Sequence, residues 1–252
     1  MRTALALAAA LALGACGQGG GGSPAGKALP RHPENFKAAD RVPIVGFEYE
    51  NSAPKAVILL FHQAGSSKYE YDTIGPRLAD MGYTALAIDQ RSGGTLFGDN
   101  STVAVVGGSK SYAQAKQDLQ GAVNWARDKK LPIILWGSSY SAALVFQVAA
   151  ENPDAIRAVL AFSPGEYLDQ PDAVKTAASR LRVPVFVTSA KDPKEVAAAK
   201  AILDAVPIKQ KVQFVPLTAG VHGSSTLIPD KNPAGAQENW RAVADFLHQV
   251  AP

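Results

Sequence analysis

The stretch IILWGSSYSAALVFQ, residues 133–147, decides the fold. Four large apolar residues run into Gly-Ser-Ser-Tyr-Ser, and the chain turns at once into an Ala-rich, helix-favouring segment. A short, solidly apolar run bounded by turn residues reads as a strand buried on both faces. Two uses of the serines compete. Ser138 or Ser139 caps the helix that follows, as serine commonly does, or Ser139 is a nucleophile held on a sharp strand-to-helix turn.

Outward from this stretch the same alternation repeats. VPIVGFEYE (42–50), AVILLFH (56–62), YTALAIDQ (83–90), LPIILWG (131–137), AVLAFSP (158–164), VPVFVTSA (183–190) and KVQFVPL (211–217) read as strands. Residues 70–82, 112–127, 140–151, 193–206 and 236–250 carry helical spacing, with Gly82 as a stop and Trp240, Val243, Leu247 and Val250 on one face of the last. Apolar strands alternating with helices imply an α/β protein: a mostly parallel, doubly wound sheet with helices on both faces. In such sheets the ligand site lies outside the carboxyl ends of the strands. Those ends carry His62-Gln63, Asp89-Gln90-Arg91, Gly137-Ser138-Ser139, Ser163-Pro164, Lys191-Asp192 and, a short loop further on, His222.

Gly137-x-Ser139-x-Ser141 after a strand and before a helix has the spacing and context of the nucleophile elbow. The positions two residues either side of the nucleophile must be small because strand and helix approach closely. Gly137 meets this, and Ser141 is a small stand-in for the usual Gly, which leaves Ser138 a bystander. Asp192 and then His222 follow at later strand ends, giving the chain order Ser, Asp, His. A serine hydroxyl is a weak nucleophile until an imidazole accepts its proton, and a carboxylate fixes the imidazole's tautomer and steadies its cation. Read alone, Asp192 is a helix cap ahead of Pro193. Glu166 or Asp169, after the preceding strand, is the alternative acid.

The segments FHQAGSS, GSSYS, SAKDP and VHG, in this order, resemble the α/β-hydrolase superfamily, and most of all its small dienelactone-hydrolase-like members. The resemblance spans residues 40–250. Those members often carry Cys as nucleophile; Ser139 stands there in this chain, so a dienelactone substrate is not implied. It further implies an oxyanion hole made by the Tyr140 amide and the amide of Gln63 or Ala64. His62 takes the place of the histidine that opens the His-Gly loop of lipases and orients that loop.

The first residues are expected to lie outside the folded domain. Arg2 and the apolar run Thr3–Leu13 are too short for a spanning helix, which needs about 20 apolar residues, and read as a secretory signal over 1–15. Leu13-Gly14-Ala15-Cys16 resembles a bacterial lipobox, which implies lipidation of Cys16, the chain's single cysteine. Residues 16–39 are assigned to the lipidated Cys and a flexible tether, and 40–252 to the hydrolase domain. The expectation is a cell-envelope lipoprotein held by lipid. Gly17 stands where an inner-membrane retention signal would put Asp, favouring the periplasmic face of the outer membrane.

The 252 residues suit one α/β domain. A net charge of +3 with no Lys/Arg block argues against nucleic-acid binding. No zincin or EF-hand spacing occurs, so no metal or cofactor is expected. Only residues 165–182 separate two strands where this fold usually inserts a lid, so a small lid or none is expected. The 91–111 loop, with its Gly93-Gly94 and Gly107-Gly108 pairs as hinges, is the expected specificity element. The function expected is hydrolysis of small carboxylic esters through an acyl-enzyme. The alternatives are a peptidase or acyltransferase on the same triad, or a non-catalytic binding lipoprotein.

Overall fold

The computed structural model describes residues 27–252, so the signal segment and Cys16 lie outside the described residues. The apolar runs become the centre of one eight-stranded sheet. In chain order the strands are β1 (His32–Lys37), β2 (Pro43–Tyr49), β3 (Val57–Phe61), β4 (Thr84–Ile88), β5 (Ile133–Ser138), β6 (Ile156–Phe162), β7 (Val185–Thr188) and β8 (Lys211–Phe214). The helices are α1 (Ile74–Asp80), α2 (Ser101–Val105), α3 (Tyr112–Arg127), α4 (Tyr140–Glu151), α5 (Ala173–Ala178), α6 (Pro193–Ala205) and α7 (Ala236–Val250). The strand order is β1-β2-β4-β3-β5-β6-β7-β8, with β1 and β2 antiparallel and every pair from β4 to β8 parallel.

Period-two alternation along the central strands divides their side chains between two cores. Val57, Leu59, Phe61, Ile133 and Leu135 face α3, α4, α5 and α6. Ile58, Leu60, Ile134 and Trp136 face α1 and α7. All nine are at most 2% exposed, so truncating one, such as Leu59 to Ala, would cost about 2–5 kcal/mol. With both faces covered, only the strand ends are open for chemistry.

Four expectations change. The segment assigned as tether is partly folded: His32–Lys37 is an edge strand, and Ala28 bridges Asn51. Its alternation of half-buried and exposed residues is the pattern of a strand covered on one side. The helix expected over 70–82 is broken into a 3-10 turn at Lys68–Tyr71 and α1. Pro76 has no N–H to give the Asp72 carbonyl four residues back, so the two cannot form one continuous helix. Within the long 91–111 loop a short helix, α2, is capped by the Asn100 side chain on the Val103 amide at 2.8 Å.

The fourth change concerns the glycine hinges. A Cβ on Gly93 would overlap the Ser66 carbonyl oxygen and the Asn100 side chain, so this glycine serves close packing. Gly94 donates to the Ser66 carbonyl at 2.8 Å and Leu96 to Gly65 at 3.0 Å. Arg91 forks to Asp40 at 2.6 and 2.7 Å and to Asp118 at 2.8 Å, pinning the start of the loop to α3. Burial raises the Asp118 carboxyl to about 6 despite that partner. No helix among the described residues is long and apolar enough to cross a membrane.

Candidate active site

Ser139 stands at the junction of β5 and α4 with φ 58 and ψ −121, a strained backbone for a residue with a side chain. Gly137 makes this turn feasible: a Cβ there would overlap the Ser141 carbonyl oxygen and the Ala142 nitrogen. The tightness of the turn therefore follows from the residue types at 137 and 141.

The Ser139 hydroxyl meets His222 Nε2 at 2.8 Å, and His222 Nδ1 meets Glu195 Oε1 at 2.9 Å. A carboxylate can only accept, so Nδ1 carries the hydrogen and Nε2 is left to accept from Ser139. Glu195 and His222 are partly open, their side chains 26% and 40% exposed.

Sequence reasoning placed Asp192 in the acid's position, and the structure puts Glu195 there. Asp192 is the N-cap of α6: its Oδ1 accepts from the amides of Lys194 at 2.9 Å and Glu195 at 3.3 Å, with Pro193 at the first helical position. Its short side chain is used up on its own helix. Glu195, one turn in, has the extra methylene and the direction to reach His222, and its second oxygen accepts the Ala190 amide at 3.2 Å. An Asp followed three residues later by Glu is the sequence signal of a capped helix start, and it would have pointed to Glu195 as the free carboxylate. The other candidates are elsewhere: Glu166 accepts from the Val174 and Lys175 amides at 2.9 Å each, and Asp169 lines a neighbouring cavity.

The loop after β3 is held from beneath. His62 is fully buried, and burial lowers it to about 4, so it is neutral. Its Nε2 accepts the Gln90 amide at 3.0 Å and its Nδ1–H donates to the Gln63 carbonyl at 2.8 Å. Gln90 in turn takes the His62 amide at 2.8 Å and donates to Ser141 Oγ at 2.7 Å, while Ser141 donates to the His62 carbonyl at 2.6 Å. Ser141 is thus more than a small spacer, because it ties the elbow to the neighbouring loop. Tyr140 is buried, with its hydroxyl 2.6 Å from Gln90 Nε2 and its ring stacked on Tyr112 at 4.2 Å.

Of the two amides expected to face an oxyanion, Gln63 N–H is committed to Glu70 Oε2 at 2.9 Å. The other, Ala64, lies on the exposed part of the loop. Tyr140 supplies the first amide of α4, one of the four that lack a partner within a helix. Ser138, expected to be a bystander, is fully buried and donates to Glu70 Oε1 at 2.7 Å.

A cavity of about 320 Å³ opens beside the elbow. Tyr112, Leu144, Tyr167 and Leu168 give it an apolar wall, and Gln147 and Asp169 add polar groups. Tyr167 reaches back toward the site, donating to the Ser163 carbonyl at 3.1 Å, while the Ser163 hydroxyl accepts the Gly223 amide next to His222 at 2.9 Å. The walls come from the starts of α3 and α4 and from residues 167–173. The 91–111 loop, the expected specificity element, contributes only Ser111.

The sheet order and the elbow define an α/β-hydrolase. Residues 52–204 match the Hydrolase_4 family, described as serine aminopeptidase, S33, and the chain belongs to that family. It is an enzyme, a serine hydrolase. No curated protein is similar enough in sequence to match this chain. Among solved structures it is similar to the dienelactone hydrolase of Anabaena variabilis, with a TM-score of 0.67 at 17% identity over 87% of this chain and 99% of that one. An esterase of Pyrococcus furiosus superposes with a TM-score of 0.65 at 18% identity, covering 88% and 94% of the two chains. A thermostable carboxyl esterase of Bacillus coagulans does so with 0.65 at 10% identity over 89% and 100%. At these identities the likeness is one of fold.

Proposed function

We propose that the chain hydrolyses carboxylic esters with a compact apolar acyl group, through an acyl-enzyme on Ser139. The observation that carries this reading is the unbroken line from Ser139 Oγ through His222 to Glu195, at 2.8 and 2.9 Å. His222 Nε2 takes the hydroxyl proton as Ser139 Oγ attacks the ester carbonyl. Glu195 holds the imidazole in its tautomer and steadies the cation that forms, and stays ionised throughout. The developing oxyanion is met by the amides of Tyr140 and Ala64, since Gln63 has already given its amide to Glu70. His222 then returns the proton to the leaving alcohol. A water, deprotonated by the same nitrogen, cleaves the acyl-enzyme and restores Ser139.

The cavity beside Tyr140 supports the substrate class. Its wall of two tyrosines and two leucines suits a short aliphatic or single-ring group, and it carries no cationic side chain that would favour an anionic one. A second reading is a peptidase: the family's description names an aminopeptidase, and Asp169 in the cavity could receive a free amino group. Purified protein is expected to turn over p-nitrophenyl acetate much faster than alanine p-nitroanilide. Ser139→Ala should lower kcat by at least about 10³-fold. Equal turnover by wild type and Ser139→Ala would overturn the serine mechanism, and a preference for the anilide would replace the ester reading with the peptidase one.

The sequence before the described residues supports a place in the cell envelope, held by a lipid on Cys16. Cys16→Ser is then expected to move the protein from the membrane to the soluble fraction. Unchanged membrane association of that variant would remove the anchor from the account.

A further inference from the structure

Glu70 is a buried carboxylate that the reaction steps above do not use. It is 1% exposed and lies in the 3-10 turn that follows the loop after β3. Both its oxygens are occupied by neutral donors from two separate segments of the site. Oε2 accepts the Gln63 amide at 2.9 Å, and Oε1 accepts the Ser138 hydroxyl at 2.7 Å. Ser138 Oγ accepts in turn from the Ser224 amide at 2.9 Å, two residues after His222. One carboxylate thereby gathers the loop that follows His62, the elbow that carries Ser139, and the loop that carries His222.

No cation balances it. Lys68, two residues away and itself buried, gives its ammonium to Asp89 at 2.7 Å, and Glu70 has no ion pair among the described residues. Taking an unpaired carboxylate out of water is costly, and burial pushes the Glu70 carboxyl upward. An apolar residue would fill the space without that cost. What a carboxylate does, and an apolar side chain cannot, is accept two hydrogen bonds at once in fixed directions.

We propose that Glu70 is a positioning residue for the oxyanion hole: it captures the Gln63 amide, so that the next amide, Ala64, faces the reacting carbonyl, and it locks that loop to the Ser139 elbow through Ser138. The inference rests on the serine-hydrolase reading of Ser139 and His222. In its absence the Gln63–Ala64 peptides are free to rotate, and the second oxyanion donor is lost from its place. Loss of one such donor costs about 10²–10³-fold in kcat. Ground-state binding in the apolar cavity does not depend on this peptide, so KM should change little.

The test compares wild type, Glu70→Gln, Glu70→Ala and Ser138→Ala with p-nitrophenyl acetate. Active sites are counted by fluorophosphonate titration, and Tm is measured in parallel. Per active site, kcat should fall about 10²-fold in Glu70→Ala, with KM within about twofold of wild type. Glu70→Gln, which can still accept the Gln63 amide, should fall between the two. Ser138→Ala keeps the carboxylate and should lose less than Glu70→Ala. If Glu70→Ala does not fold, the decision passes to Glu70→Gln and Ser138→Ala, both of which must lower kcat at unchanged KM. Variants that fold less well but keep the wild-type kcat per active site would reduce Glu70 to a structural role and overturn the proposal. That result leaves the enzyme reading intact, whereas full activity in Ser139→Ala would strike the enzyme reading itself.

Discussion

The strand ends at the centre of the sheet and those toward its β8 edge are built differently. Behind β3, β4 and β5, the residues His62, Glu70, Gln90, Ser138 and Ser141 are at most 1% exposed. Hydrogen bonds of 2.6–3.0 Å link them across three loops. Behind β7 and β8, Asp192 is exposed, and Glu195 and His222 are 26% and 40% exposed on the side chain, joined by a single bond of 2.9 Å. The central ends form a dry floor that fixes where Ser139 and the oxyanion amides stand. The flanking ends carry the proton acceptor and its carboxylate next to water, which the deacylation step must admit. A buried network is costly to leave half satisfied, while an exposed pair is easily rearranged.

The sharpest way to break the comparison is at the exposed pair. Glu195→Gln keeps the shape but removes the charge that selects the imidazole tautomer, and kcat is expected to fall about 10²–10⁴-fold with Tm nearly unchanged. Steady-state kinetics on p-nitrophenyl acetate measures this. If Asp192→Ala is the variant that loses activity and Glu195→Gln is not, the assignment of the acid is reversed.

On the floor, the expected effect is on stability. His62 titrates near 4 when folded, below its ordinary 6.5, because burial disfavours its cation. The unfolded chain therefore binds a proton that the folded chain refuses between those two values. His62 contributes roughly 3 kcal/mol of stability above pH 6.5 that is lost as pH falls toward 4. Urea unfolding at several pH values should show a steeper loss for wild type than for His62→Gln. Parallel profiles for the two would mean that the buried imidazole does not control acid stability.

The smallest effect belongs to Asp192. As a helix cap it should cost about 1 kcal/mol when changed to Ala, with kcat within about twofold of wild type. Tm and kcat measured on the same preparation check both halves of that statement.

The same division governs how much could be read from the sequence. α3, α4 and α7 fall where the helical spacing placed them, because each buries a continuous apolar face. The Ser139 turn was legible because its small flanking residues have one geometric reason. β1 was missed because an edge strand covered on one side leaves a mostly polar sequence, HPENFK. α2 was missed because five residues are too few to show a period. The acid was misplaced because two carboxylates stand within one turn of α6, and the one nearer the strand end is used as the cap. Spacing along the chain ranks strand ends well, but it does not give the direction of a side chain within a helical turn. Ser138 and Glu70 were passed over for a related reason. Their hydroxyl and carboxylate point inward, and only packing in three dimensions brings them together.

The central claim is that Ser139 is the reacting serine. Fluorophosphonate labelling followed by peptide mapping tests it most directly. The account predicts one adduct per chain, on Ser139, absent from Ser139→Ala and formed more slowly in Glu195→Gln. An adduct on any other serine, or none on a protein that turns over p-nitrophenyl acetate, would contradict it.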